Sequence, residues 1–114
     1  MLNVGSASIF LHRLPTDMRK SFEGLSALVE REFPGRLLSG GVFVFVNRRR
    51  NLLKLLYWDG DGLAQWYKRL EKGTFRVSDD GRTELSRREF LMLLEGIKPK
   101  RLLARFSLKK RAEK

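Results

Sequence analysis

No cysteine occurs in this 114-residue chain, which removes disulfides, thiolate metal sites and cysteine nucleophiles together. Histidine is nearly absent as well. The one present, His12, has no activated nucleophile near it in sequence, so a packing or surface role is expected. No apolar stretch approaches the roughly 18 residues that a membrane-spanning helix needs. The opening residues Met1-Leu2-Asn3-Val4-Gly5-Ser6 lack a charged region followed by an apolar core, so no secretory signal is expected and a cytoplasmic location is. Acidic residues are scarce too: 13 Asp and Glu face 24 Lys and Arg, leaving a net charge of +11. A field of that sign attracts polyanions. Nucleic acid is the expected one, although a membrane surface or an acidic protein would answer the same charge.

What is present argues for a folded chain. A hydrophobic fraction of 42% and an aromatic fraction of 11% are too high for a wholly disordered one, and the length suits a single domain. Ser8 to His12 reads as a short strand. Thr16 or Asp17 reads as a helix start, followed by Met18, Phe22, Leu25, Val29 and Phe33 at three- or four-residue steps, with Leu28 beside them. Pro34-Gly35 ends that helix. Gly40 to Asn47, containing Val42-Phe43-Val44-Phe45-Val46, reads as a central strand buried on both faces. Arg48-Arg49-Arg50-Asn51 is the polar turn and Leu52 to Trp58 the return strand. Asp59-Gly60-Asp61-Gly62 signals a second hairpin, because glycine tolerates positive φ. Leu63 to Leu70 reads as the third strand of this meander, with a helix as the alternative, and Gly73 to Val77 as a short fourth. Asp79 to Arg82 is a turn. Ser86 and Glu89 have the spacing of a capping box, in which each side chain accepts from the other residue's backbone amide. Phe90, Leu91, Leu93, Leu94 and Ile97 then give a second helix its apolar face.

From Lys98 onward the composition shifts. Residues 98–114 hold eight basic residues and one acidic residue, so +7 of the +11 falls there. The expected organisation is a single α+β domain over 1–97 and a basic tail over 98–114, partly helical or flexible. The fold expected is a mostly antiparallel sheet of four or five strands with two helices and this basic C-terminal tail.

Few constellations suit catalysis. Paired carboxylates around divalent ions would suit a nuclease, and Asp59 with Asp61 is the best local pair, but a hairpin with solvated acids accounts for them. The glutamate that a calcium loop requires further on is missing. Gly40-Gly41 precedes a strand, so it lacks the helix N-terminus of a phosphate cradle. Trp58, Trp66 and Tyr67 would stack on bases if exposed, but at strand positions they read as core. Two basic groups remain, Arg48-Arg49-Arg50 on a loop and the C-terminal Lys and Arg residues. Either would neutralise backbone phosphates without reading bases; the plain alternatives are a turn with scattered ion pairs and a solvated extension.

Five segments, in order, resemble one family. Thr16-Asp17-Met18-Arg19-Lys20-Ser21-Phe22-Glu23-Gly24-Leu25 is the first, and Val42 to Phe45 followed by Asn47-Arg48-Arg49-Arg50-Asn51-Leu52-Leu53-Lys54 the second. Trp58-Asp59-Gly60-Asp61-Gly62, Lys68-Arg69-Leu70-Glu71-Lys72-Gly73-Thr74-Phe75 and Leu93-Leu94-Glu95-Gly96-Ile97 complete the set. They are similar to the TnpB accessory proteins of insertion-sequence family sixty-six, encoded by the element's second open reading frame and distinct from the RNA-guided nuclease of the same name. The resemblance covers about residues 5–98. It implies a non-enzymatic helper of transposition, without cofactor or metal, beside a separate DDE-type transposase. The expected partners are element-end DNA and the transposase or other element proteins; the alternative is an interaction module that docks on the transposase without touching DNA. The expected nucleic-acid contacts are Arg19, Lys20, Arg48, Arg49, Arg50, Lys54, Lys68 and Arg69, joined in the tail by Lys100, Arg101, Arg105, Lys109, Lys110 and Arg111. Within Lys68-Arg69, the strand alternation lets only one side chain serve that surface.

Overall fold

A computed structural model of the chain describes residues 5–95. The elements run β1 (Ile9–Leu11), α1 (Phe22–Glu32), β2 (Val42–Val46), β3 (Leu52–Trp58), β4 (Leu63–Arg69), β5 (Glu84–Leu85) and α2 (Arg87–Leu94). The five strands form one sheet in the order β4-β3-β2-β1-β5. The fold is therefore α+β with a mostly antiparallel sheet. The meander over β2, β3 and β4 pairs antiparallel throughout, with Val44 opposite Leu55 and Leu55 opposite Trp66. One pair departs from that pattern. β1 and β2 are parallel, with Ile9 opposite Val42, so the connection between them must cross the sheet, and α1 makes that crossing. The segment expected to be strand or helix at 63–70 is strand.

Both faces of the sheet are covered, which explains a central strand with no polar residue. Val42, Val44 and Val46 point to one side with Ile9, Leu11, Leu53 and Leu55, where Phe75, Leu85 and the α2 residues Phe90 and Leu93 cover them. Phe43 and Phe45 point to the other with Phe10 and Leu56, under Leu25 and Val29 of α1. The alternation of β-branched and aromatic residues thus becomes a thin layer against α2 and a thick one against α1. Phe10, Phe33 and Phe43 cluster with centroids 5.0–5.6 Å apart. Gly41 gives Phe43 its room, since a Cβ there would lie 2.9 Å from the ring.

The first helix begins later than its pattern suggested. It starts at Phe22, with Ser21 at the cap position making no side-chain cap, and Phe22 itself stays 43% exposed. Residues 15–20 instead form a strap. The Thr16 amide donates to Val46 O at 2.9 Å, extending the line of β1, and the carbonyls of Met18 and Lys20 accept from the ammonium of Lys54 at 2.8 and 2.9 Å. Lys54 stands in the middle of β3 on the aromatic side and is only 7% exposed. A buried ammonium needs acceptors, and these two carbonyls satisfy it in place of continuing a helix. On its other side Nζ lies 4.8 Å from the centroid of the Tyr67 ring, a cation–π contact.

The second helix starts where expected. Ser86 Oγ accepts from the Glu89 amide and the Glu89 carboxylate accepts from the Ser86 amide, completing the capping box. Phe90 and Leu93 are buried with Met92, whereas Leu91 is half exposed rather than on the apolar face. Ile97 and the tail lie outside the described residues.

Gly73–Val77 is not a strand. The Phe75 side chain is fully buried, and its amide donates to Arg50 O at 2.6 Å, a contact to a loop rather than to a ladder. The fifth strand is Glu84–Leu85, reached through a segment that Arg13 holds with donations to Ser78 O at 2.6 Å, Arg82 O at 2.5 Å and Asp80 at 3.0 Å. His12 donates to the Glu32 carboxylate and packs on Phe45, fixing the end of β1 against the end of α1.

Replacing Lys54 with Met keeps the volume and strands two carbonyls. Lys54→Met should lower unfolding stability by about 1–3 kcal/mol, read as a lower urea midpoint at unchanged slope. An unchanged midpoint would remove the pinning role.

Candidate nucleic-acid interface

The arginine loop is held by its first and last residues. The Asn47 side-chain oxygen accepts from the amides of Asn51 at 3.0 Å and Leu52 at 2.9 Å, and its Nδ2 donates to the Asn51 side chain at 2.8 Å. Asn47 and Leu52 also pair through the backbone, so residues 48–51 form a closed loop between β2 and β3. Arg50 closes it at φ +59°, a left-handed conformation uncommon for a residue with a side chain. The returning segment then locks the loop from outside. Leu70 N donates to Asn51 O at 2.9 Å, beside the bond from Phe75 to Arg50. Arg48, Arg49 and Arg50 are exposed, and none has an ion-pair partner among the described residues.

The strap pinned by Lys54 runs beside this loop, and the two enclose an open basin of about 660 Å³. Pro15, Thr16, Asp17, Met18 and Arg19 line one side, and Asn47, Arg48 and Arg49 the other, with Leu52 and Tyr67 also in the lining. The first two family-like segments, distant in sequence, meet here. Asp17 and Arg19 form a closed pair on the rim: Arg19 Nη2 donates to Oδ2 at 2.7 Å and Nε to both oxygens at 3.0–3.1 Å, while the Arg19 amide donates to Oδ1 at 2.9 Å. These bonds hold the Asp17 carboxyl at about 2, below its ordinary 3.8, with the guanidinium the largest cause and the amide the next. Arg19 therefore reaches the rim with its charge already compensated, and the uncompensated charge of the basin lies on Arg48 and Arg49.

The other expected contacts divide. Lys20 is exposed at the end of the strap. Lys54 is not a surface cation; its ammonium lies under the strap. Lys68 turns to the α2 side of the sheet, where its Nζ donates to Leu94 O at 2.7 Å and satisfies a carbonyl at the helix end. Arg69 turns the other way, stands opposite Leu52 in the ladder and pairs with Glu71 at 3.2 Å. The alternation within Lys68-Arg69 thus separates the two as its period requires. Lys100, Arg101, Arg105, Lys109, Lys110 and Arg111 lie outside the described residues.

Of Trp58, Trp66 and Tyr67, expected as core with base stacking as the alternative, only Trp66 packs against the core; Tyr67 is 53% exposed in the basin and Trp58 is 37% exposed at the far end of β3. Period-two alternation separates Trp66 from Tyr67 but does not say which side is covered. Asp59 and Asp61 occupy the opposite end of the sheet in a tight hairpin, with Asp59 N donating to Gly62 O at 2.8 Å and Gly60 at φ +82°. Among the described residues no three His, Asp or Glu side chains gather as a metal site would require, and no helix is long and apolar enough to cross a membrane.

The chain is thus a small, strongly basic α+β domain that gathers charged loops from separate segments at one end of its sheet. The model of the family described as IS66 Orf2 like protein matches residues 7–104, and the chain belongs to that family. Membership carries a transposition-associated accessory role. Two relatives from Sinorhizobium fredii (strain NBRC 101917 / NGR234), the uncharacterized proteins y4jC and y4hO, are each 36% identical to it, over 85 and 84 residues. The alignments cover 73% and 72% of this chain and 73% of each relative. No solved structure matches.

Two outcomes test the basin's geometry. The folded value for Asp17 is depressed, so its contribution to stability is present above the unfolded value and lost as pH falls through the folded one. A carboxyl NMR titration of Asp17 should have its midpoint near 2, and Arg19→Ala should move it back toward 3.8. A midpoint already at 3.8 in the unaltered protein would show the clamp absent. Arg50→Gly should leave stability unchanged or raise it by up to about 1 kcal/mol, because glycine adopts the left-handed conformation without a Cβ clash. A fall in melting temperature would contradict that reading of the loop.

Proposed function

We propose that this protein assists transposition by binding DNA of its element through backbone phosphates, acting as an assembly factor and not as a catalyst. The observation that carries this reading is the arginine loop: three adjacent guanidinium groups on a rigid turn, unpaired among the described residues. A fixed loop loses little entropy on binding, and arginine matches phosphate in a bidentate manner. Lys20, exposed at the end of the strap, adds to the positive surface, whereas Arg19 and Arg69 are already paired with Asp17 and Glu71. The basic residues of 98–114 would lengthen the same electrostatic footprint. Phosphate contacts of this kind fix position and register on DNA and leave the choice of sequence to other contacts, the transposase among them.

Lys54 and Lys68 drop out of the proposed interface, because each ammonium is already committed to backbone carbonyls. The second reading, docking on the transposase without DNA, predicts that charge removal leaves the complex intact.

Binding to element-end duplex should weaken steeply with salt, because neutralised phosphates release counterions. Changing Arg48, Arg49 and Arg50 together to Ala should reduce the slope of log affinity against log salt by about two to three. Anisotropy titrations at several salt concentrations measure this. Absence of binding to any DNA, or a slope unaltered in the triple variant, would defeat the proposal. Capture of the transposase by a protein that binds no DNA would favour the second reading. Deleting residues 98–114 tells the tail's share from the loop's.

A further inference from the structure

The phosphate-binding reading uses the rim of the basin and leaves its floor unexplained. We propose that the floor seats an unpaired nucleotide, with its base stacked on Tyr67 and its phosphates on Arg48 and Arg49; this rests on the nucleic-acid reading and makes it more specific.

A regular duplex presents a convex, evenly charged backbone with its bases already stacked, and cations on a protruding loop suffice to bind it. It has no use for a hollow of about 660 Å³ with an apolar floor. An unpaired nucleotide does. Its base is a flat apolar plate and its phosphates are anionic, so the fit is an aromatic platform beside arginines. Tyr67 supplies the platform, 53% exposed although it is a large aromatic side chain in the middle of a strand. One side of its ring is occupied by the Lys54 ammonium, 4.8 Å from the centroid. That cation is itself held by two carbonyls of the strap, so the platform rests on a fixed support and loses little freedom when a base covers it. The cation also draws electron density from the ring, which favours stacking on electron-rich bases. Leu52, across the ladder and two residues from Lys54, continues the apolar surface, and Pro15 and Met18 close it on the strap side.

The same nucleotide chemistry is found in single-stranded DNA and in RNA. The test therefore uses the full chain with four labelled ligands followed by anisotropy: oligoadenylate DNA, oligothymidylate DNA, the blunt duplex of the two, and oligoadenylate RNA. Electrostatics alone favours the duplex, whose phosphates are denser. A base-seating basin reverses that order, and binding of oligoadenylate DNA should be about tenfold tighter than of the duplex. Tyr67→Leu, which keeps apolar cover over Lys54 but offers no aromatic face, should weaken single-strand binding roughly five- to a hundredfold and leave duplex binding unchanged. Tyr67→Phe should bind like the unaltered protein. RNA bound more tightly than DNA in a Tyr67-dependent manner would support the basin and name RNA as its source.

Duplex bound as tightly as single strands would overturn the proposal, as would a folded Tyr67→Leu protein with undiminished single-strand affinity. Either result, with arginine-dependent duplex binding retained, leaves the phosphate-binding reading standing. Failure to bind any of the four ligands removes both. Should Tyr67→Leu not fold, the preference of the unaltered protein decides alone.

Discussion

A lysine ammonium deep in a sheet must find acceptors or it does not stay there, and Lys54 finds the carbonyls of Met18 and Lys20. Much of the architecture at that end of the sheet follows from that constraint. The two carbonyls turn inward, so the chain before α1 runs as a strap across the end of the sheet and the helix starts several residues after its first apolar position. Held there, the strap lies against the arginine loop and encloses the basin. The same ammonium backs the ring of Tyr67. One side chain thus sets the start of a helix, the wall of a cavity and the rigidity of its floor. It does so with no acidic partner among the described residues, its ammonium held there by the two carbonyls.

The positive charge of the chain is handled differently in different places. Around Arg13 it is consumed internally: Arg13 and Arg82 share Asp80, Arg82 also reaches Glu89, and the Asp80 carboxyl is held at about 2, with the Arg82 amide and guanidinium as the leading causes. These arginines organise an irregular segment that has no ladder of its own. By contrast, the side chains of Arg48, Arg49 and Arg50 form no ion pair among the described residues; the loop beneath them is built by Asn47, Asn51 and backbone bonds, those of Arg50 included. Arginine side chains that are unpaired among the described residues are available to a partner, and that contrast supports the proposed interface more strongly than net charge does. Membership of the IS66 Orf2-like family supplies the setting, an accessory role in transposition.

What could be read from the sequence was what is decided locally. The Val-Phe-Val-Phe-Val strand, the Asp59–Gly62 hairpin and the Ser86–Glu89 capping box are each fixed by residues within a few positions of one another. What escaped was decided at a distance. The start of α1 depends on Lys54, 34 to 36 residues away. Gly73–Val77 has strand-like residues, yet Phe75 is drawn into the core and its amide to Arg50, so the segment pairs with no strand. Glu84–Leu85 is too short to give a pattern. The basic residues of the candidate site were legible by type, and the resemblance placed them in order. That the strap faces the arginine loop, that Lys54 and Lys68 are committed to carbonyls and that Tyr67 stays uncovered all depend on the third dimension.

The parallel pairing of β1 with β2 has a consequence for the order of assembly. Each hairpin of the β2–β3–β4 meander joins neighbours in the chain and can close with a small loss of loop entropy. β1 cannot. It lies between β2 and β5, so the strand made first is completed on its open edge only by the one made last. During synthesis β1 must therefore wait with a free edge until Glu84 and Leu85 emerge, and the finished sheet is closed by elements from opposite ends of the described chain. Cooperativity between those ends is built into the topology: the fold has no early half that is complete without the late one.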